Sequence, residues 1–180
     1  MICGYKLPGN DLNALFNYFV NLCLLRAAPQ DLPSSSALLG VVFVINALIG
    51  TLLMATTELG PGLALVESVF ELGLMLGVLR IALFLRGHPA RFNQGATAVM
   101  GSSILMSLLA LPLLAGGVAS GGGTDAGGVM LLLGLVVWSV VILGHILRHT
   151  FDLTPGQGVA VAALYSFASY QLTTSLFSIG

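Results

Sequence analysis

At 180 residues, 57% of them hydrophobic and 7% charged, the chain holds far fewer charges than the roughly 25% of a typical soluble domain. A water-soluble fold of this length could not hide so much apolar surface, whereas lipid solvates it directly. The composition therefore excludes a soluble globular domain and predicts an all-α membrane protein, while a net charge of −1 removes the electrostatic basis for nucleic-acid binding.

Residues 1–30 read as a cytoplasmic N-terminal segment. Met1 to Asn10 contain no apolar core run, so no cleavable signal peptide is expected and insertion falls to the spanning helices themselves. Asn10, Asn13, Asn17 and Asn21 then recur at three- and four-residue spacing, with Leu12, Leu15, Phe16, Phe19 and Leu22 on the other side. That spacing predicts an amphipathic helix over residues 11–25, too short and too polar to span. Its apolar side suits the cytoplasmic membrane surface as an interfacial helix, or the protein's own bundle. Cys3 and Cys23 suggest neither a disulfide framework nor a zinc site, and are expected as reduced thiols.

A spanning helix needs about 20 apolar residues, and residues 34–180 contain five such runs. The first covers 36–56, behind the capping residues Ser34, Ser35 and Ser36. The second covers 63–85 and is entered through Pro61-Gly62. The third covers 95–118 and should kink at Pro112, which frees a backbone carbonyl. The fourth covers 129–149, and the fifth covers 158–177 behind Pro155-Gly156. Short connections make successive helices alternate in direction. Lys6, Arg26, Arg80, Arg86, Arg91 and Arg148 then all fall on one side of a five-helix weave. The positive-inside rule puts the N-terminus in the cytoplasm and the C-terminus outside.

A charge at the centre of a bilayer costs on the order of 2.5–3.5 kcal/mol, so each one inside the spans requires an account. Glu67 and Glu71, four residues apart, share a face of the second span. Glu71 lies about 13 Å below the outer entry of that helix at 1.5 Å per residue. The pair suits a proton or cation site, a contact with a partner subunit, or two neutral acids that hold the bundle together by hydrogen bonds. Asn46 and Thr51 on the first span, Ser103 and Ser107 on the third, and Tyr165 or Gln171 on the fifth are its candidate partners. The opposite face carries Gly73 and Gly77 in a G-x-x-x-G pair that lets another helix approach, followed by Arg80, which can snorkel to the headgroups. Gly158 and Ala162 begin the fifth span with small residues suited to tight packing.

His145, His149 and Asp152 share a helical face with the spacing of a divalent-metal site, and a haem would need a further axial ligand, for which only His88 remains. The alternative is that these histidines mark the cytoplasmic interface and bond headgroups or nearby loops. No metal or other cofactor is expected. No serine, histidine and acid fall together as a triad, so an enzyme is not expected either.

The stretch 133–164 carries Val137-Trp138-Ser139-Val140-Val141-Ile142-Leu143-Gly144, then Leu147-Arg148-His149-Thr150-Phe151-Asp152-Leu153-Thr154, then the small residues of 158–163. A Trp-bearing helix, a glycine, a Leu-Arg step, a short polar linker and a small-residue helix resemble the end of the Yip1-domain membrane proteins. Arg91-Phe92-Asn93-Gln94 leading into the Pro112 helix is similar to the middle of that family, and Leu25-Arg26 with Pro29 to its opening. The resemblance implies five spanning helices, a cytoplasmic N-terminus and an extracytoplasmic C-terminus. It does not imply GTPase binding here, because the chain lacks a long cytosolic domain.

These readings converge on a bacterial inner-membrane protein, multi-pass, with a periplasmic C-terminus. Its expected role is non-enzymatic, as an accessory, assembly or scaffold subunit of a larger membrane complex. Its partners would be lipid and other membrane subunits. The alternative is a small transporter or proton- or ion-conducting component that uses Glu67 and Glu71.

Overall fold

A computed structural model of the chain describes residues 12–54, 60–119 and 126–177, and among these the regular structure is all helical. The helices are α1 (Leu12–Cys23), α2 (Ser36–Met54), α3 (Pro61–Leu85), α4 (Phe92–Ala119), α5 (Ala126–Phe151) and α6 (Pro155–Phe177). Single 3-10 turns at Pro29–Asp31 and Pro89–Arg91 precede α2 and α4. Cys3, Lys6, Asn10 and positions 55–56 of the first expected span lie outside the described residues.

Local chemistry sets these boundaries. Pro61 and Pro155 occupy first helical turns, where the N–H that proline lacks has no intrahelical partner. Ser35 Oγ accepts the Leu38 N–H at 3.3 Å at the start of α2. Gly87, at φ 73°, ends α3. Its N–H reaches Phe84 O at 3.1 Å and the His88 N–H reaches Leu83 O at 3.0 Å, the paired bonds of a Schellman cap. Asp152, at φ 54°, takes the same place after α5, with the Leu153 N–H on Arg148 O at 2.8 Å. α4 continues through Pro112 to Ala119.

Four helices among the described residues are long and apolar enough to cross a membrane, over Ser36–Leu53, Pro61–Leu85, Pro89–Leu114 and Ala126–Phe151. In the most apolar 18-residue stretch of each, only 6% to 33% of the residues are buried within the chain. Most of their apolar surface therefore faces outward, which lipid accommodates and water does not. This is a multi-pass membrane protein. The fifth expected span differs in kind. At 23 residues α6 has the length to cross, about 34 Å at 1.5 Å per residue. Its tyrosine, serine, threonine and glutamine side chains hold it below the apolarity of the other four.

The tightest packing lies at the end of the bundle that carries Arg86, Arg91 and Arg148. One cluster joins Leu79 and Leu83 of α3, Ala96 of α4, Leu147 and Phe151 of α5, and Ala162 of α6. The other joins Tyr18 and Leu22 of α1 and Leu32 to Ala98, Met106, Ile142 and Ile146. Side chains then tie loops to helix ends. Arg86 donates to Phe151 O at 3.0 Å, Gln94 to Leu32 O at 2.7 Å, and Gln30 to His149 O at 3.1 Å.

α5 and α6 form the most intimate pair, folded back on each other by a three-residue connection. A Cβ on Gly144 would lie 2.7 Å from Val159 Cα, and one on Gly158 would collide with Gly144 O. Both glycines are required by that crossing. α1 is seated on the bundle, with Phe19 lying where a Cβ of Gly101 would be. Its Asn13, Asn17 and Asn21 face outward. Packing on the bundle is thus present, and Phe16 on the same helix remains exposed, so the seat on the protein leaves apolar surface outward.

Candidate functional site: a polar cavity between α2 and α6

Above the packed end, a cavity of about 580 Å³, open on one side, lies between α2 and α6. α3 contributes Glu67 and Glu71, and α2 contributes Asn46. Ser102, Ser103 and Ser107 come from α4, and Ser139 from α5. α6 supplies Tyr165, Ser166, Ser169, Tyr170, Thr173 and Thr174, so the polar residues that reduce its apolarity are largely those turned to this interior. Met75, Met100, Met106, Leu143 and Phe177 complete the wall. Among the described residues, no arginine or histidine lines it.

The acids occupy different positions on the wall. Glu67 is 8% exposed, and its Oε2 has no hydrogen-bond partner among the described residues. Glu71, one turn further along α3, is exposed at the margin of the cavity. The one ion pair among the described residues is Arg91–Asp152, so neither acid has a cationic partner there. Thr173 Oγ1 on the facing helix is likewise buried and unpartnered. Four-residue spacing puts both carboxylates on one helix face, and that face borders the cavity, buried at Glu67 and exposed at Glu71.

Asn46, expected as a partner for these acids, is committed to α4. Its Nδ2 donates to Met100 O at 3.0 Å and to Ser103 Oγ, and Ser103 Oγ donates to Met100 O at 2.9 Å. It therefore fastens α2 to α4 at the cavity wall. Thr51 Oγ1 donates to Ala47 O at 2.7 Å within its own helix.

The other sequence candidates lie elsewhere. Arg80 is exposed, with its guanidinium carbon 5.4 Å from the centre of the Phe92 ring. A Cβ on Gly73 or Gly77 would meet nothing within 4 Å among the described residues, which make no close approach there. Gly158 and Ala162 are used, at the α5–α6 crossing. His145 and His149 stack edge to face at 4.7 Å. His145 Nε2 lies 3.0 Å from Ala27 O, and Arg148 Nε donates to His149 Nε2 at 3.2 Å. Asp152, the third member of the suspected metal set, is held by Arg91 at 2.8 Å. Among the described residues no three His, Cys, Asp or Glu side chains are placed to hold a metal ion.

The sequence reading did not assign Ser102, Ser139 or Thr173 to a site. Their signal, isolated hydroxyls in apolar helices, acquires meaning only when five helices are brought together. It also gave no role to Cys23. Burial pushes that thiol up to about 11, its Sγ points at Ser102 O at 4.0 Å, and its carbonyl accepts the Trp138 indole N–H at 3.2 Å.

The fold and site define a helical membrane protein with an acidic, hydroxyl-rich cavity among its helices. In comparisons with known proteins, the chain matches no family description, no curated protein and no solved structure.

Proposed function

We propose that this chain is a small ion-handling membrane protein in which Glu67 and Glu71 take up and release a proton or cation. The observation that carries this reading is the Glu67 carboxylate, buried against a cavity where, among the described residues, no basic side chain lies and Oε2 has no partner. A buried acid placed only to hold the bundle would have its oxygens satisfied, because an unpaired one costs about 1–3 kcal/mol. Ionisable groups at membrane depth mark ion or proton pathways when they face a cavity. The distribution of Arg26, Arg80, Arg86, Arg91 and Arg148 supports an orientation with the N-terminus cytoplasmic.

The test is flux in proteoliposomes loaded with a pH-sensitive dye, under an imposed membrane potential. The reading expects proton or cation movement in the wild type and its loss in Glu67→Gln and Glu71→Gln. Absence of flux in the wild type, or full flux in both variants, would dismiss it.

A second reading, an accessory or scaffold subunit, is favoured by one observation: among the described residues nothing lies within 4 Å of a Cβ placed on Gly73 or Gly77. Such a face suits close approach by a helix of another membrane subunit. Native mass measurement in gentle detergent tests it, and a lone monomer with no co-purifying subunit would count against it. The resemblance to Yip1-domain proteins fits either reading, since it supplies a topology and no activity.

A further inference from the structure

We propose that the cavity takes an organic cation, an amine or quaternary ammonium of lipophilic character, with Glu67 as its counter-ion. This rests on the ion-handling reading above and names the class of substrate. The size of the cavity is the first argument. A proton needs no cavity, whereas about 580 Å³ falls in the roughly 300–1,000 Å³ range of sites that enclose small organic molecules.

The chemistry of the wall is the second. A bare inorganic cation demands a shell of oxygen ligands, with several carboxylates or carbonyls converging. Here the acids lie on one helix with Glu71 at the margin, so no second carboxylate converges on Glu67, and Tyr165, Tyr170, Phe177, Met75 and Met106 share the wall with the neutral hydroxyls. Aromatic faces attract an ammonium through the ring quadrupole while tolerating its alkyl or aryl substituents. A charge-diffuse cation sheds little hydration on entering such a place, and a strongly hydrated one sheds much.

The third argument is charge. Among the described residues Glu67 Oε2 is unpartnered at 8% exposure, and no basic side chain stands on the wall to neutralise it. Arg80 is nine residues beyond Glu71 on α3, about 14 Å along the helix at 1.5 Å per residue. A buried carboxylate without a counter-charge is unfavourable, and an entering cation supplies the missing charge. Anions and neutral sugars would leave it uncompensated. Glu71, exposed at the margin, offers a first electrostatic contact on the way in.

The experiment is equilibrium dialysis of the detergent-solubilised protein against matched protein-free micelles. The probes are benzyltrimethylammonium and neopentylbenzene, its uncharged carbon isostere. The expected result is saturable binding of the cation, at least about tenfold tighter than any binding of the isostere. Glu67→Gln should weaken the cation by at least about tenfold and leave the isostere unaffected. Glu67→Asp, which retains the charge, should restore part of the affinity. The isostere comparison uses the wild type, so a variant that fails to fold does not decide the outcome. Equal binding of the two probes, or no cation binding at all, overturns the proposal. If the same preparation still conducts protons in liposomes, only the substrate class falls; if it does not, the ion-handling reading falls with it.

Discussion

Gly158 carries little chemistry of its own, yet the Gly144 carbonyl occupies the space its Cβ would need. Replacing it by leucine forces α6 off α5, and overpacking of that sort costs about 1–3 kcal/mol. Gly158→Leu should therefore lower the melting temperature in detergent, whereas Gly73→Leu, on an open face, should change the stability by no more than about 0.5 kcal/mol and leave the melting temperature close to wild type. Cys23 gives a second prediction at this scale. Its thiol is raised from 9.0 to about 11 because burial disfavours the thiolate. In a Cys3→Ser background, alkylation at neutral pH should be slow and should accelerate as pH approaches the raised value. The sign for stability is the same. The contribution is fully present below the unfolded pKa and is lost as pH rises from 9.0 to about 11, where the unfolded chain releases the proton first.

Among the elements, α1 separates what a sequence pattern can specify from what packing decides. Its asparagine stripe and leucine face are legible at once, but an apolar helix face fits lipid and protein equally well, so the pattern does not choose its seat. Phe19 chooses it, by filling the notch at Gly101. Phe19→Ala should free α1, seen as faster amide hydrogen exchange across 12–23 with α2 to α5 still protected. Protection of α1 equal to wild type would contradict that seat. The α5–α6 corner is held differently. Asp152 sits at φ 54° and pairs with Arg91 at 2.8 Å, both partly exposed. Asp152→Asn keeps a residue that tolerates this backbone and removes the charge. It should cost no more than about 1 kcal/mol and lose its effect in high salt, because exposed ion pairs are weak and screened.

At the scale of the whole molecule, α2 to α5 are readable from hydropathy because each is apolar on nearly every face. α6 is harder to read, since the Tyr165 to Thr174 stretch lowers its hydropathy for a reason that lies in its neighbours. The face shared by Glu67 and Glu71 is legible from spacing alone; what it faces is not. The cavity arises only where five helices meet, and no local pattern reports that Asn46 would bond Met100 and Ser103 rather than an acid. The tightly packed clusters at the arginine-bearing end and the cavity above them make the bundle asymmetric along its axis. One end is closed by side chains, and the middle is left polar and hollow.

That hollow is the central claim, and chemical labelling in a bilayer reaches it most directly. Cys3→Ser and Cys23→Ser give a thiol-free chain, into which Ser166→Cys places a thiol on the cavity wall and Val137→Cys one on the outward face of α5. A small, charged, membrane-impermeant methanethiosulfonate should modify the first and not the second, because thiolates form in water and not in hydrocarbon. Protection at 166, or equal labelling at both positions, would contradict a water-accessible cavity inside the membrane.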